Sequence, residues 1–261
     1  MLRRARDTGA ETLMTELIAR IDEPPAPLAM PVSLSFVAGY LDSYTYLSLF
    51  GLFAAQVTGS FVIAGAEFVS NDYGIIGKLI AIAAFVAAAA ATTALIIVAR
   101  EKRRAALPLM LALETTLLAV FAAIVVFGPA IGDARDWHGI VAGLFAAMAM
   151  GAQSVLVRLL MKDIPQTNVM TGNMTQLGIT LTELIMVRRR FAENPWSEAA
   201  DSALAEVQAR LLTVLSVAIG FLAGAASGAL AFATTGLAGA LVAVAIVAAL
   251  ALWALMRQER G

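Results

Sequence analysis

The chain has no cysteine and a single histidine, His138. The first absence excludes disulfides, thiolate-bound zinc and iron–sulfur clusters, and the second leaves too few imidazoles for the usual histidine-rich metal sites. No metal and no cofactor is expected. Charge is scarce as well: only 14% of the 261 residues are charged, with a formal net of −1. No basic stripe interleaved with aromatics is present, so nucleic acid is not an expected partner. The motifs HExxH and GxSxG are missing too, and the chain reads as a non-enzyme. What remains is apolar, with 60% hydrophobic residues and a mean hydropathy of +0.83. A soluble domain of this length has nowhere to bury that much apolar surface, whereas a bilayer accommodates it.

Apolar runs approaching the roughly 20 residues that span a bilayer lie near 31–50, 53–69, 76–99, 107–127, 138–160, 168–187, 211–234 and 236–256. The second and sixth are unlike the rest, being rich in hydroxyls, amides and glycine. Gln56–Gly65 reads QVTGSFVIAG and Gln166–Gly178 reads QTNVMTGNMTQLG. They belong to an ordered set of matches: Gly39 in AGYLDSYTYL with Gly151 in MGAQSVLVRL, VTGSFVIAG with MTGNMTQLG, and FVAAAAATTAL (85–95) with FLAGAASGAL (221–230). The last match sets Ala88 against Gly224 and Thr92 against Gly228. Three matches in one order indicate an internal duplication, which decides the architecture before any local detail.

Lys and Arg placement then fixes the expected topology, because short cytoplasmic loops carry the excess of basic residues. With a cytoplasmic N-terminus and eight full crossings, Arg100, Lys102, Arg103, Arg104, Arg158 and Lys162 fall outside. If the two TG segments enter and return on one side, only Lys78 and Arg135 fall outside, leaving sixteen of the eighteen basic residues inside. The second arrangement is expected. The fold class is thus an all-α polytopic membrane protein, a 3+3 inverted repeat in which each half carries one re-entrant or discontinuous TG segment. Residues 31–127 form the first repeat and 138–256 the second. Residues 1–30 form a cytoplasmic tail, with Leu13, Met14, Leu17, Ile18 and Ile21 at helical spacing and Pro24, Pro25 and Pro27 ending that helix. An inserted surface helix is expected within 188–210, starting at Asn194-Pro195 and presenting Trp196, Ala200, Leu204 and Val207 on its apolar side.

The order GYLDSYTYL, FAAQVTGSFVIAG, GAQSVLVRLL, NVMTGNMTQLG and FLAGAASGAL resembles the YoaK-like family of bacterial membrane proteins over about residues 31–256. The resemblance implies a multi-pass protein of the bacterial cytoplasmic membrane, with both termini cytoplasmic in the topology above, and implies no particular chemistry. That family's pattern has Asn after the first TG, where Ser60 stands here, while Asn173 keeps the pattern in the second half. It also has glycines where Ala88 and Thr92 stand, so this chain is the more lopsided.

Candidate site residues follow from what is costly in a membrane. The TG segments supply Gln56, Thr58, Gly59, Ser60, Asn168, Thr171, Gly172, Asn173, Thr175 and Gln176, a set of donors and acceptors beside glycines that allow close backbone approach. Half-helix N-termini there would present unpaired N–H groups and partial positive charge, suited to an anion. Ionisable groups at membrane depth are Asp42, Glu114 and Arg158, with Tyr46 and Gln153 nearby on the first helices of the two halves. Asp42 and Arg158 occupy similar depths and could pair. Asp42 and Glu114, taken out of water, are candidates for proton coupling. Gly220, Gly224 and Gly228 form a small-xxx-small face for helix packing, within the chain or across a homodimer.

The expected function is a transporter or channel for a small polar solute, anions included, with a site between the two repeats. The partners are that solute and the lipid bilayer. The alternatives are a non-transporting membrane scaffold, whose TG segments would pack dry, and an intramembrane enzyme using Asp42 and Glu114.

Overall fold

The computed structural model describes residues 27–70, 74–102, 104–192 and 197–258, all of whose regular structure is helical. The tail helix expected before Pro24 and the Asn194-Pro195 helix start lie outside the described residues. The helices are α1 (Ala29–Ser48), α2 (Val57–Ser70), α3 (Ile75–Glu101), α4 (Ala106–Phe127), α5 (Trp137–Leu160), α6 (Met170–Arg190), α7 (Glu198–Thr235) and α8 (Ala240–Gln258), with a 3-10 turn at Gly236–Gly239 before α8.

Among the described residues, four stretches are long and apolar enough to cross a membrane: α3, α4, α5 and the run Glu198–Gln258. The last has 61 residues, which would extend about 90 Å as one helix, some three times the hydrocarbon thickness. It breaks where Gly236 takes φ +58°, a left-handed conformation that glycine adopts without a Cβ penalty. α1 is too polar to count as a span by composition, yet thirteen of its twenty residues are buried. Its solvent is the protein, and Ser35, Asp42 and Thr45 are matched to hydrogen-bond partners there rather than excluded.

Packing pairs α1 with α7 and α3 with α5, and both pairs run parallel. Along α1 and α7, Gly220 lies against the Val32 carbonyl, Gly224 against that of Phe36 and Gly228 against that of Tyr40. The four-residue step on both helices means the two backbones advance together. A Cβ at Gly39 would in turn collide with the carbonyl oxygen of Phe221. In the other pair, a Cβ at Gly151 would collide with the carbonyl oxygen of Phe85. These contacts join aligned positions, since Gly39 matches Gly151 and Phe85 matches Phe221 in the sequence. The glycine face of α7 is filled by α1, so the within-chain use of Gly220, Gly224 and Gly228 is the one observed.

Side chains of α1 lock this centre. Tyr40 donates to the Gly239 carbonyl at 2.7 Å and Tyr44 to that of Leu237 at 2.8 Å, pinning the turn between α7 and α8. Tyr44 also meets Phe121 and Phe232 edge-on, with centroids at 6.3 and 5.8 Å, geometry that aromatic quadrupoles favour. Ser35 Oγ lies 2.7 Å from the Val217 carbonyl oxygen and 3.0 Å from that of Thr167.

One expectation fails. Among the described residues of 188–210 no helix stands apart from the long ones; α7 begins at Glu198, where Ser197 caps it by accepting from Ala200 N, and continues for 38 residues. No glycine or proline lies between Glu198 and Ile219, and Ala, Glu, Leu and Arg, all strong helix formers, carry the helix through. Arg210 bonds Glu206 one turn back and Glu183 of α6, tying the extension to its neighbour.

Candidate functional site

The two TG segments are built alike. Each starts as irregular chain after a long helix and becomes helical only at the TG dipeptide. In the first, Ser60 Oγ donates to the Phe53 carbonyl at 3.0 Å. In the second, Asn173 Nδ2 donates to the Gln166 carbonyl at 2.8 Å. Both bonds run from the residue after TG to a carbonyl seven positions earlier, closing the loop onto its helix. Ser60 and Asn173 are therefore loop fasteners, and both are buried.

Each loop is also held at depth by the preceding helix. Asp42, 2% exposed, accepts from Ala55 N at 2.7 Å and from Gln56 N at 3.2 Å through Oδ1. In the second half, Asn168 Nδ2 donates to Ser154 Oγ, and Gln153 Nε2 donates to Thr167 Oγ1 at 2.9 Å and to the Leu34 carbonyl at 3.0 Å. The alignment that matches Gly39 with Gly151 sets Asp42 against Ser154. A carboxylate on one side and a hydroxyl on the other thus do the same mechanical task.

The held loops face a single cavity of about 440 Å³. Ala55–Thr58 and Gln166–Thr171 contribute to its wall, together with Phe85 and Ala89 of α3 and Ser154, Val155 and Arg158 of α5. Helices α2 and α6 start at this wall. By helix geometry the N–H groups of Thr58, Gly59, Thr171 and Gly172 have no intrahelical acceptor. The helix ladders begin only with Ser60 N to Gln56 O and Asn173 N to Val169 O, each at 3.2 Å. Arg158 is the one ionisable side chain of the wall, and among the described residues it makes no ion pair. The expected Asp42–Arg158 pair is absent because backbone amides have taken the carboxylate instead.

Of the sequence-derived candidates, Gln56, Thr58, Arg158, Asn168 and Thr171 line the cavity. Asp42, Ser60, Gln153 and Asn173 stand behind it as supports. Tyr46 does not reach the cavity; its ring sits on Phe53 at 5.1 Å. Glu114 is fully buried on the stripe of α4 that also carries Met110, Leu111, Leu118 and Phe121, and it is not in the wall. Thr175 bonds the Thr171 carbonyl of its own helix and Gln176 bonds Thr180, so neither points at the site. Ser154 is a wall residue as well; the polarity it adds beside Gln153 and its match to Asp42 are the signals for it in the sequence.

Residues 30–254 match a family described as a protein of unknown function, DUF1275. The chain belongs to the DUF1275 family. No curated protein and no solved structure matches it significantly.

The TG glycines of this DUF1275 chain serve differently from the sequence expectation. Positive φ occurs at Gly51 and Gly236, while Gly59 and Gly172 are ordinary first-turn residues. A Cβ at Gly172 would meet only Val169 Cγ1 at 3.6 Å, an ordinary contact. The glycine keeps the first-turn N–H groups uncovered. Gly172→Ala should therefore leave stability within about 0.5 kcal/mol of wild type, measured by thermal unfolding, while narrowing the approach to those amides and weakening the binding of any ligand they hold. A stability loss with unchanged binding would contradict this assignment.

Proposed function

We propose that this protein is a bacterial cytoplasmic-membrane transporter or channel for a small polar solute, anions included, and not an enzyme. Its site is the cavity between the TG elements. The observation carrying the reading is that both TG helix N-termini share one cavity wall in which Arg158 is the only charge. Non-helical backbone at membrane depth is tolerated where it lines a cavity, and paired broken segments in matching halves are the sequence pointer to a transport site.

The architecture in this reading is six crossings, α1, α3, α4, α5, α7 and α8, in a 3+3 inverted repeat with both termini cytoplasmic. The parallel pairs α1–α7 and α3–α5 are compatible with it: each sets the first crossing of one half beside the second crossing of the other. Lys78 supports the re-entrant course of the first TG element. Its Nζ bonds the Phe50 carbonyl at 3.1 Å and Glu67 at 2.6 Å, so the end of α2 lies beside the end of α1 that the chain has just left. Lys78 is 2% exposed, and this pair sits at the far end of α2 from the cavity.

A scaffold with dry TG segments is the less favoured reading, given the cavity. The enzyme reading is weaker again, because Asp42 and Glu114 do not share its wall. The test is a thermal-shift panel of small anions and neutral polar solutes on purified protein, since a ligand of the folded state raises apparent stability. Stabilisation by anions, lost in Arg158→Gln, is expected. A panel that stabilises neither protein, or both equally, would remove the cavity as the site.

A further inference from the structure

The two helix N-termini at the cavity differ in one charge. The approach to α2 is occupied by Asp42, whose Oδ1 takes the amides of Ala55 and Gln56, both wall residues. The matching approach to α6 has neutral Ser154 and Asn168. Asp42 Oδ2 and Asn168 Oδ1 are both buried and, among the described residues, accept no hydrogen bond. While Asp42 is ionised, its charge offsets the positive end of α2 and opposes any anion held between the two N-termini and Arg158. With Asp42 protonated, the cavity keeps both helix ends and the guanidinium and loses the opposing charge.

Resting on the reading of this cavity as an anion site, we infer that the cavity takes up its anion together with one proton, carried by Asp42. The reciprocity of linkage makes this symmetric: protonation raises anion affinity and the anion favours protonation. Competing titratable groups are few. The stretches 139–157 of α5, 211–235 of α7 and 240–256 of α8 contain no ionisable side chain. On α1 itself Tyr40 and Tyr44 are engaged with the 3-10 turn carbonyls. Glu114 of α4 lies outside the cavity wall. Glu67 is paired with Lys78 at the other end of α2. Arg158 remains charged throughout.

The test uses full-length protein in nanodiscs with sodium formate, acetate, nitrate and chloride as probes. Affinity is read by thermal shift on either side of neutrality, and proton uptake by the pH change in weak buffer. In wild type, affinity should fall about tenfold per pH unit above the Asp42 transition, with one proton taken up per anion bound. Asp42→Asn should bind with pH-independent affinity and no proton uptake, and Arg158→Gln should not bind at either pH. Asp42→Ser, the residue of the second half, serves if the amide variant does not fold, and Ser154→Asp should add a second proton per anion. Unchanged pH dependence in the Asp42 variants overturns the coupling and leaves the site standing. No stabilisation of wild type by any probe, or wild-type binding by Arg158→Gln, overturns the site and the coupling together.

Discussion

Gly224→Ala should destabilise the protein by about 3 kcal/mol or more, a large share of the few to fifteen kcal/mol that hold a typical domain together. A Cβ at Gly224 would overlap the carbonyl oxygen of Phe36 and come within 2.8 Å of its Cα. These are backbone atoms of a helix, which cannot rotate aside as a side chain can. Relief requires α1 and α7 to separate, and that separation would disturb Tyr40 over Gly228 and Ser35 beside Val217 at once. Gly39→Ala meets the same interface from the other helix, through Phe221 O and Ala225 N, and should cost a similar amount. Because the two share one helix pair, the double variant should lose less than the sum. Gly65→Ala and Gly178→Ala are the controls, with nothing within 4 Å of the added carbon; both should unfold within about 0.5 kcal/mol of wild type. Thermal unfolding of the purified variants reads all five. Equal stability of Gly224→Ala and Gly65→Ala would mean that close approach of α1 and α7 is not what holds the centre.

Membrane helices lack a hydrophobic force pulling them together, so small residues and side-chain hydrogen bonds decide the pairing. That is why so much was legible: motifs aligned in the sequence are the places where backbones touch. Gly39 and Gly151 reach carbonyls of Phe221 and Phe85, residues the same alignment equates. Ser60 and Asn173, equated across the TG motifs, fasten their loops over the same span of seven residues. Less legible was what depends on direction rather than type. Thr175 and Gln176 look as suitable as Thr171, yet their helix turns them to bonds along α6. Tyr46 matches Arg158 in the alignment, but Arg158 faces the cavity while Tyr46 sits on Phe53. Asp42 had two open sinks for its charge, a guanidinium at similar depth or two amides thirteen and fourteen residues on. Composition cannot choose between them. The extension of α7 is hard to see for a simpler reason: the sequence changes from polar to apolar near residue 211, which resembles a change of element, although nothing there breaks a helix.

Single cysteines at Val69 and Lys102, in a chain free of native cysteine, should label oppositely in intact cells. A membrane-impermeant maleimide should reach position 69 and not position 102. Val69 lies in the last turn of α2 and is 82% exposed, and Lys102 caps the other end of α3. In the six-crossing arrangement α2 returns outward to where α1 ended, α3 then crosses, and Lys102 joins the cytoplasmic basic cluster. With eight full crossings α2 would instead end inside and α3 outside, and the labelling would invert. The hydrogen bonds of Lys78 favour the first outcome, because they tie Phe50, Glu67 and the start of α3 to one end of the bundle. The bias of basic residues favours it independently, leaving Lys78 and Arg135 alone on the outside. In that arrangement Lys78 would be the outside cation with a largely buried acidic partner, at side-chain exposures of 3% and 14%. Neutralised in place, it weighs little in a rule that counts free cytoplasmic charge. Label at 102 and not at 69 would make the repeats parallel, and the cavity would lose its claim to be a two-sided transport site.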